Sequence, residues 1–137
     1  MRRKSDADPG VAIKPIGVVA SSLTDPADAP NQGYRGAPNA WLVFNPEVRE
    51  AISDLKVGDR IIVLTWLHRA KRDVLRTYPG SQRDAPHLGV FSLRSPDRPN
   101  PIGLHPVEVL EVVDLRIRVN HMEAIDGTPI LDVKPVI

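Results

Sequence analysis

The chain has 137 residues, 42% of them hydrophobic and 26% charged, with fourteen prolines, no cysteine and a formal net charge of +1. That length suits one domain of roughly 100 to 150 residues with a real core, and it argues against a two-domain enzyme. Prolines make up about a tenth of the chain, roughly double ordinary usage, while aromatics are only 4%. Each interior proline removes a backbone donor and clashes with the preceding turn, so a helical bundle is disfavoured. The lack of cysteine excludes a disulfide framework, a thiolate nucleophile and a cysteine-ligated metal, and it fits a cytoplasmic protein. No apolar run approaches the roughly 20 residues that span a bilayer, and Arg2, Arg3 and Lys4 lead into no apolar segment. A soluble chain with a short disordered arm over 1–12 is expected, with no membrane contact. His68, His87, His105 and His121 lack the spacing of a helical metal site, so no metal is expected either.

In chain order, Ile13 to Val19 is apolar and β-branched, with Pro15 near its start, and predicts a first strand. Residues 21–40 form a polar, proline-rich excursion much longer than the ordinary connection of roughly 4 to 6 residues, which points to a functional loop, and Gln32 and Tyr34 are adaptable ligand contacts. Trp41 to Phe44 predicts a short strand. Asn45, Pro46 and Glu47 supply an N-cap, a pre-set φ and a first-turn acid. Val48, Ile52 and Leu55 follow at helical spacing before Gly58, predicting one short helix. Arg60 to Leu67 is nearly continuously apolar, which predicts a central strand buried on both faces.

Residues 68–98 carry seven Lys or Arg against three Asp, a net of +4 that leaves −3 for the remainder. The near-neutral total therefore conceals a basic patch, either a solvated face or a surface for nucleic-acid phosphates. Leu88 to Leu93 predicts a strand, Val107 to Val113 and Leu115 to Val119 a hairpin about Asp114, and Ile130 to Val133 a last strand. One short helix among seven or eight short strands indicates a mainly β fold, a small antiparallel β-barrel with long loops over 13–137; an α+β sandwich comes second. No strand, glycine-rich turn and helix succession marks a dinucleotide fold.

Three segments could carry chemistry. Residues 89–104 place Arg94, Arg98 and Asn100 on a frame stiffened by Pro96, Pro99 and Pro101, a preorganised loop whose arginines can hold carboxylate or phosphate, or can instead be solvated or pair with Asp97. Asp126, Gly127, Thr128 and Pro129 form a tight-turn signal whose backbone groups and Thr hydroxyl can read a small polar ligand. His68 and Arg69 end the apolar strand; His68 is a structural residue or, if it faces a pocket, a proton acceptor near pH 7.

At these residues the chain resembles the TrmO/TsaA-like family, also described as YaeB-like or VirR-like. The run "GVFSLRSPDRPNPIGL" at 89–104 is similar to one family hallmark and "DGTPILDVKP" at 126–135 to a second, while "IGVVASS" at 16–22 and "LTWLH" at 64–68 extend the likeness to nearly the whole chain from about Ile13. The resemblance implies a compact β-barrel, a homodimer, and binding of S-adenosylmethionine. It also implies methyl transfer to the N6 nitrogen of N6-threonylcarbamoyladenosine beside the tRNA anticodon. Carried over by motif, the cofactor contacts fall at Asn31, Gln32, His68, Arg69, Arg94, Leu104, Asp126, Gly127 and Thr128. His68 is the candidate base, and Arg98, Asn100 and Arg72 are candidates for the substrate carboxylate and phosphates.

The chain departs from the family pattern at Asn31, where Arg is usual, at Arg69, where Gln is usual, and at Val136, where Tyr often follows the Lys-Pro pair. Family members with tRNA activity commonly continue past the final motif. A methyltransferase for a small metabolite and a non-catalytic cofactor-binding or RNA-binding module are the alternatives; the basic patch favours a polyanion.

Overall fold

The structure, a computed structural model, describes residues 10–30, 33, 36–79 and 84–137. Most of the arm expected at the N-terminus, together with Asn31 and Gln32, lies outside the described residues.

Eight strands form among the described residues: β1 (Gly17–Ala20), β2 (Ala40–Phe44), β3 (Arg60–Trp66), β4 (Arg76–Thr77), β5 (Leu88–Gly89), β6 (Ile102–Val113), β7 (Arg116–Val119) and β8 (Pro129–Pro135). Six of them pair antiparallel in the order β1-β2-β7-β6-β3-β8, and β8 pairs back onto β1 to give a closed barrel; β4 and β5 form a separate ribbon. Closure removes the unpaired strand edges that an open sheet would present. Inward residues alternate with outward ones, as the two-residue period of a strand requires. Val19, Leu42, Ile61, Val63, Val109, Ile117, Val119 and Ile130 fill the interior, each at most 1% exposed.

β3 has partners on both sides, β6 and β8, in keeping with its central place. Its burial nonetheless alternates, with Ile61, Val63 and Thr65 buried and Ile62, Leu64 and Trp66 half-buried. Burial on both faces was the wrong inference from a continuous apolar run, because a small barrel has only one inside. β6 begins at Ile102, five residues before the sequence placed its hairpin strand. It contains Pro106, opposite Ile62. Pairing of β6 with β7 starts only at Val109, with Glu108 bonded to Asn120 just past β7, so residues 102–107 have no β7 partner and a residue without an N–H does no harm there. Register shifts at Leu64/Thr65 and at Val109/Glu111 bend the strands where the barrel curves.

The expected helix after Asn45 is a 3₁₀ segment, Pro46–Ile52, with Val48 off helical geometry; no α-helix occurs among the described residues. Seven residues are too few to hold an α-helix by their own hydrogen bonds. Asn45 makes no side-chain cap and donates its Nδ2 to the Pro15 carbonyl instead. The expected apolar stripe does pack, with Ile52 buried and Val48 and Leu55 against the core. Asp114 turns β6 into β7 with φ of 52°, a conformation that Asp tolerates, and its carboxylate pairs with Arg49. No described helix is long and apolar enough to cross a membrane.

Candidate functional site

The antiparallel order gathers the ends of β1, β3 and β7 and the starts of β2, β6 and β8 at one end of the barrel. Each motif singled out in the sequence opens onto that end. Two sets of hydrogen bonds fasten the loops together there.

The first set joins the segment after β3 to the proline-rich loop before β6. Leu67 N–H donates to Pro101 O at 2.8 Å and Arg98 N–H to Lys71 O at 3.0 Å, while Asp97 Oδ1 accepts the Lys71 N–H at 2.8 Å. Arg72 donates from Nε to Pro99 O at 2.7 Å and from Nη2 to Asn100 Oδ1 at 3.0 Å, and its guanidinium lies 5.1 Å from the centre of the Trp66 ring. Arg98 donates from Nε to Ser95 O at 2.9 Å and from Nη2 to the carbonyls of Val90 and Leu93. That guanidinium explains why Leu88–Leu93 is not the strand the sequence predicted. After two paired residues at Leu88–Gly89, the chain winds into a 3₁₀ turn, Val90–Ser92, whose carbonyls converge on Arg98.

Arg98, Arg72 and Asn100 were expected to meet a substrate; the structure engages them in building this loop. Asp97 accepts a backbone N–H and pairs with no arginine among the described residues. Arg94 differs from its neighbours: it is exposed and its guanidinium has no hydrogen-bond partner among the described residues. It is the cation of the motif left available to a ligand.

The second set ties the Asp126 turn to the early loop. Asp126 N–H donates to Leu23 O at 2.6 Å and Gly127 N–H to Val19 O at 2.7 Å; Asp126 Oδ1 accepts the Ser21 N–H at 3.0 Å. Thr128 is buried, and both its N–H and its hydroxyl donate to Ile125 O, at 3.2 and 2.7 Å. The N–H groups and the Thr hydroxyl that the sequence offered to a ligand are therefore engaged inside the protein. The exposed carbonyls of Asp126 and Gly127 are what the turn can present, as acceptors. Arg69 joins the two sets by donating from Nη1 to Thr24 O at 3.0 Å. His68, beside it, is exposed, with no side-chain partner among the described residues. Leu104 lies on the outward face of β6 and is 41% exposed.

Sequence reasoning missed a buried polar chain beneath this end. Thr65 Oγ1 lies 2.6 Å from His105 Nε2, and His105 Nδ1 lies 2.7 Å from Glu123 Oε1. A carboxylate only accepts, so Nδ1 carries a proton, and in the neutral ring Nε2 accepts from the Thr65 hydroxyl. Thr65 is 0% and His105 2% exposed. Glu123 Oε2 is buried without a hydrogen-bond partner among the described residues. His105 lies in the part of β6 that has no β7 partner.

Two glycines pack against this chain. A Cβ on Gly103 would overlap Thr65 Oγ1 and His105 Nε2, and one on Gly33 would overlap the His121 carbonyl and crowd Glu123 Oε2. Gly33 thus lies close against the His121 carbonyl and Glu123. The available signal was phase: Thr65 and His105 are polar residues at inward positions of β3 and β6.

A groove of about 470 Å³, lined by Ile16, Phe44, Ile52, Ile61 and Val133 among others, opens at the opposite end of the barrel, away from the residues described above. It is a shallow gap beneath the 3₁₀ segment, and of the motif residues it meets only Ile16 and the far end of the 126–135 run, Leu131 to Val133 and Pro135.

Residues 18–137 match the family described as the tRNA-methyltransferase O N-terminal domain. A probable S-adenosyl-L-methionine-binding protein of Methanothermobacter thermautotrophicus is 42% identical over 129 residues, covering 94% of this chain and 92% of the relative. An S-adenosyl-L-methionine-binding protein of Archaeoglobus fulgidus is 42% identical over 123 residues, covering 89% of this chain and 86% of that protein. The crystal structure of TrmO from Pseudomonas aeruginosa superposes with a TM-score of 0.74 at 27% identity, over 93% of this chain and 56% of that one. This chain thus spans about half the length of the solved TrmO.

Proposed function

Because this chain belongs to the tRNA-methyltransferase O N-terminal domain family, we propose that it is an S-adenosylmethionine-dependent methyltransferase acting on the N6 nitrogen of N6-threonylcarbamoyladenosine next to the anticodon in tRNA. The observation that carries this reading is the convergence of His68, Arg69, Arg94, Leu104 and the 126–128 turn at one end of the barrel, with the Arg94 guanidinium free of hydrogen-bond partners among the described residues. The names of the relatives support the cofactor.

The residues at this end suit the cofactor chemically. Arg94 is matched to its carboxylate, which a guanidinium holds by two parallel hydrogen bonds. The Asp126 and Gly127 carbonyls accept from the adenine amino group, and Leu104 offers apolar contact. When bound, S-adenosylmethionine supplies a methyl group already activated on a sulfonium. What remains for the protein is alignment of the acceptor nitrogen and exclusion of water. The stitched loops provide a fixed frame for both. His68 takes the proton of the N6 nitrogen at a ring nitrogen, a role open to an imidazole whose side chain has no partner among the described residues. Arg72 and Arg98 act on the substrate side through the loop they hold, and Asn100 keeps its amide nitrogen for a direct contact. Asn31 and Gln32 complete the cofactor contacts from the early loop.

The tRNA substrate is supported by the net charge of +4 over residues 68–98, which attracts a polyanion. A homodimer is part of the same reading; Ile102 and Leu104, 42% and 41% exposed on the outer face of β6, supply apolar area for it. A cytoplasmic location follows from the substrate. A second reading, a cofactor-binding module without methyl transfer, is favoured by the relatives' names, which speak only of binding. A methyltransferase for a small metabolite is the third.

The deciding experiment incubates the protein with methyl-labelled S-adenosylmethionine and tRNA pools that contain or lack threonylcarbamoyladenosine. Label in nucleosides of the modified pool alone is the expected result. Cofactor binding without transfer to either pool would replace the first reading with the second.

A further inference from the structure

Phe91 is the most exposed aromatic side chain among the described residues, at 85%, and it does not stand on a loose loop. It is the middle residue of the 3₁₀ turn Val90–Ser92. Val90 before it is buried and donates its N–H to Leu75 O at 2.9 Å, and Leu93 N–H closes the turn on Val90 O at 3.1 Å. The Arg98 guanidinium binds the carbonyls on both sides, Val90 and Leu93. Leu75, joined to Val90 through its carbonyl, is itself 66% exposed. An apolar ring is thus held out to water by a clamped turn, and its neighbour in the adjoining segment is also apolar.

The surroundings select a partner. Lys71, whose backbone is bonded to Asp97 and Arg98 of the same loop, is exposed and its ammonium has no partner among the described residues. Residues 68–98 carry a net of +4. A second copy docking this face on itself would bring those cations together, because a two-fold contact places like on like. A partner with flat apolar faces and negative charge meets both features, and unpaired nucleotides have both.

We propose that Phe91 is a stacking platform for an unpaired nucleobase of the RNA substrate, with Lys71 contacting the phosphate chain beside it. The ring supplies the surface and the Arg98 clamp supplies its fixed position, so little conformational freedom is lost on binding. A ring on the loop that bears Arg94 is placed to hold a base out of its neighbours' stack, which chemistry on a base requires. The proposal rests on the RNA part of the reading above and adds to it the residue that distinguishes an unpaired loop from a duplex.

The test measures binding of the full chain to a labelled anticodon stem–loop RNA and to a fully paired RNA duplex, across a salt series. Phe91→Ala is expected to weaken stem–loop binding by about tenfold, within the range for one base–aromatic stack. Its salt slope and its duplex binding should not change, and Phe91→Trp should retain wild-type affinity. Lys71→Ala is expected to lower the salt slope by about one, as for one lost phosphate contact. Melting temperature and cofactor affinity of Phe91→Ala, both expected to match wild type, show that the turn is intact. If wild type prefers the stem–loop and Phe91→Ala binds it equally well, the proposal is overturned while the RNA reading stands. If wild type binds neither RNA, both fall. If Phe91→Ala changes the oligomeric state by sedimentation and leaves RNA affinity unchanged, the ring belongs to a subunit contact and the proposal is overturned.

Discussion

The two ends of the barrel are built from the same strands and differ in how their loops are held. At the end that bears Asp114, β6 passes to β7 through a tight turn and β2 to β3 through a 3₁₀ segment lying on the core, with exposed ion pairs such as Arg49 with Asp114 and Lys14 with Glu47. At the other end the loops are long, and arginines fasten them through backbone carbonyls over a buried Thr65–His105–Glu123 chain. Exposed ion pairs contribute little, because water and salt screen them. Carbonyl contacts to a guanidinium fix the backbone itself, and this end invests its polar groups in shape.

The sharpest way to break this contrast is His105→Leu. It leaves Glu123 as a buried carboxylate without its partner, and the expected loss of stability is about 3 to 5 kcal/mol by urea unfolding, the range for breaking a buried pair. A loss below 1 kcal/mol would mean that the chain is no more important than a surface pair. Arg98→Ala should next cost about 2 to 3 kcal/mol of local stability, seen as faster amide exchange across 90–98 ahead of the barrel strands. Uniform exchange would show that the loop does not depend on its clamp. Arg94→Ala should leave unfolding unchanged and weaken S-adenosylmethionine affinity by about 1.5 to 3 kcal/mol in calorimetry, the worth of a charged hydrogen bond. Unchanged affinity would remove Arg94 from the site. Smallest of all, Arg49→Ala at the opposite end should cost less than about 1 kcal/mol and leave cofactor affinity untouched.

The same contrast decides what could be read from sequence. The strands were legible wherever β-branched residues repeat with period two, as in Ile117 and Val119, and the β6–β7 turn was legible in Asp114. The site's residues were legible as motifs, because Arg94 and Asp126 sit in long, recognisable runs. Their division of labour was not. Nothing in the order Arg94, Ser95, Pro96, Asp97, Arg98 says which guanidinium turns inward, since that depends on where the Val90 and Leu93 carbonyls point once the turn has formed. The start of β6 was hidden because Pro101 and Pro106 read as loop residues, and only the missing β7 neighbour makes Pro106 acceptable. The Thr65–His105–Glu123 chain was hidden by distance, its members standing 40 and 18 residues apart along the chain.

Gly103 carries a consequence for how such a barrel can change. The space its side chain would occupy already holds the contact between Thr65 and His105. An alanine at 103 forced into the present structure would press on two immobile groups and cost stability, about 1 to 3 kcal/mol for an overpacked core. With Thr65 shortened to glycine the His105 ring would still crowd the same alanine, so room at 103 needs changes at both 65 and 105. Positions 65, 103 and 105 therefore form one mutational unit: a drift at any of them is tolerated only in company, and the order in which the changes arrive decides whether the lineage stays folded.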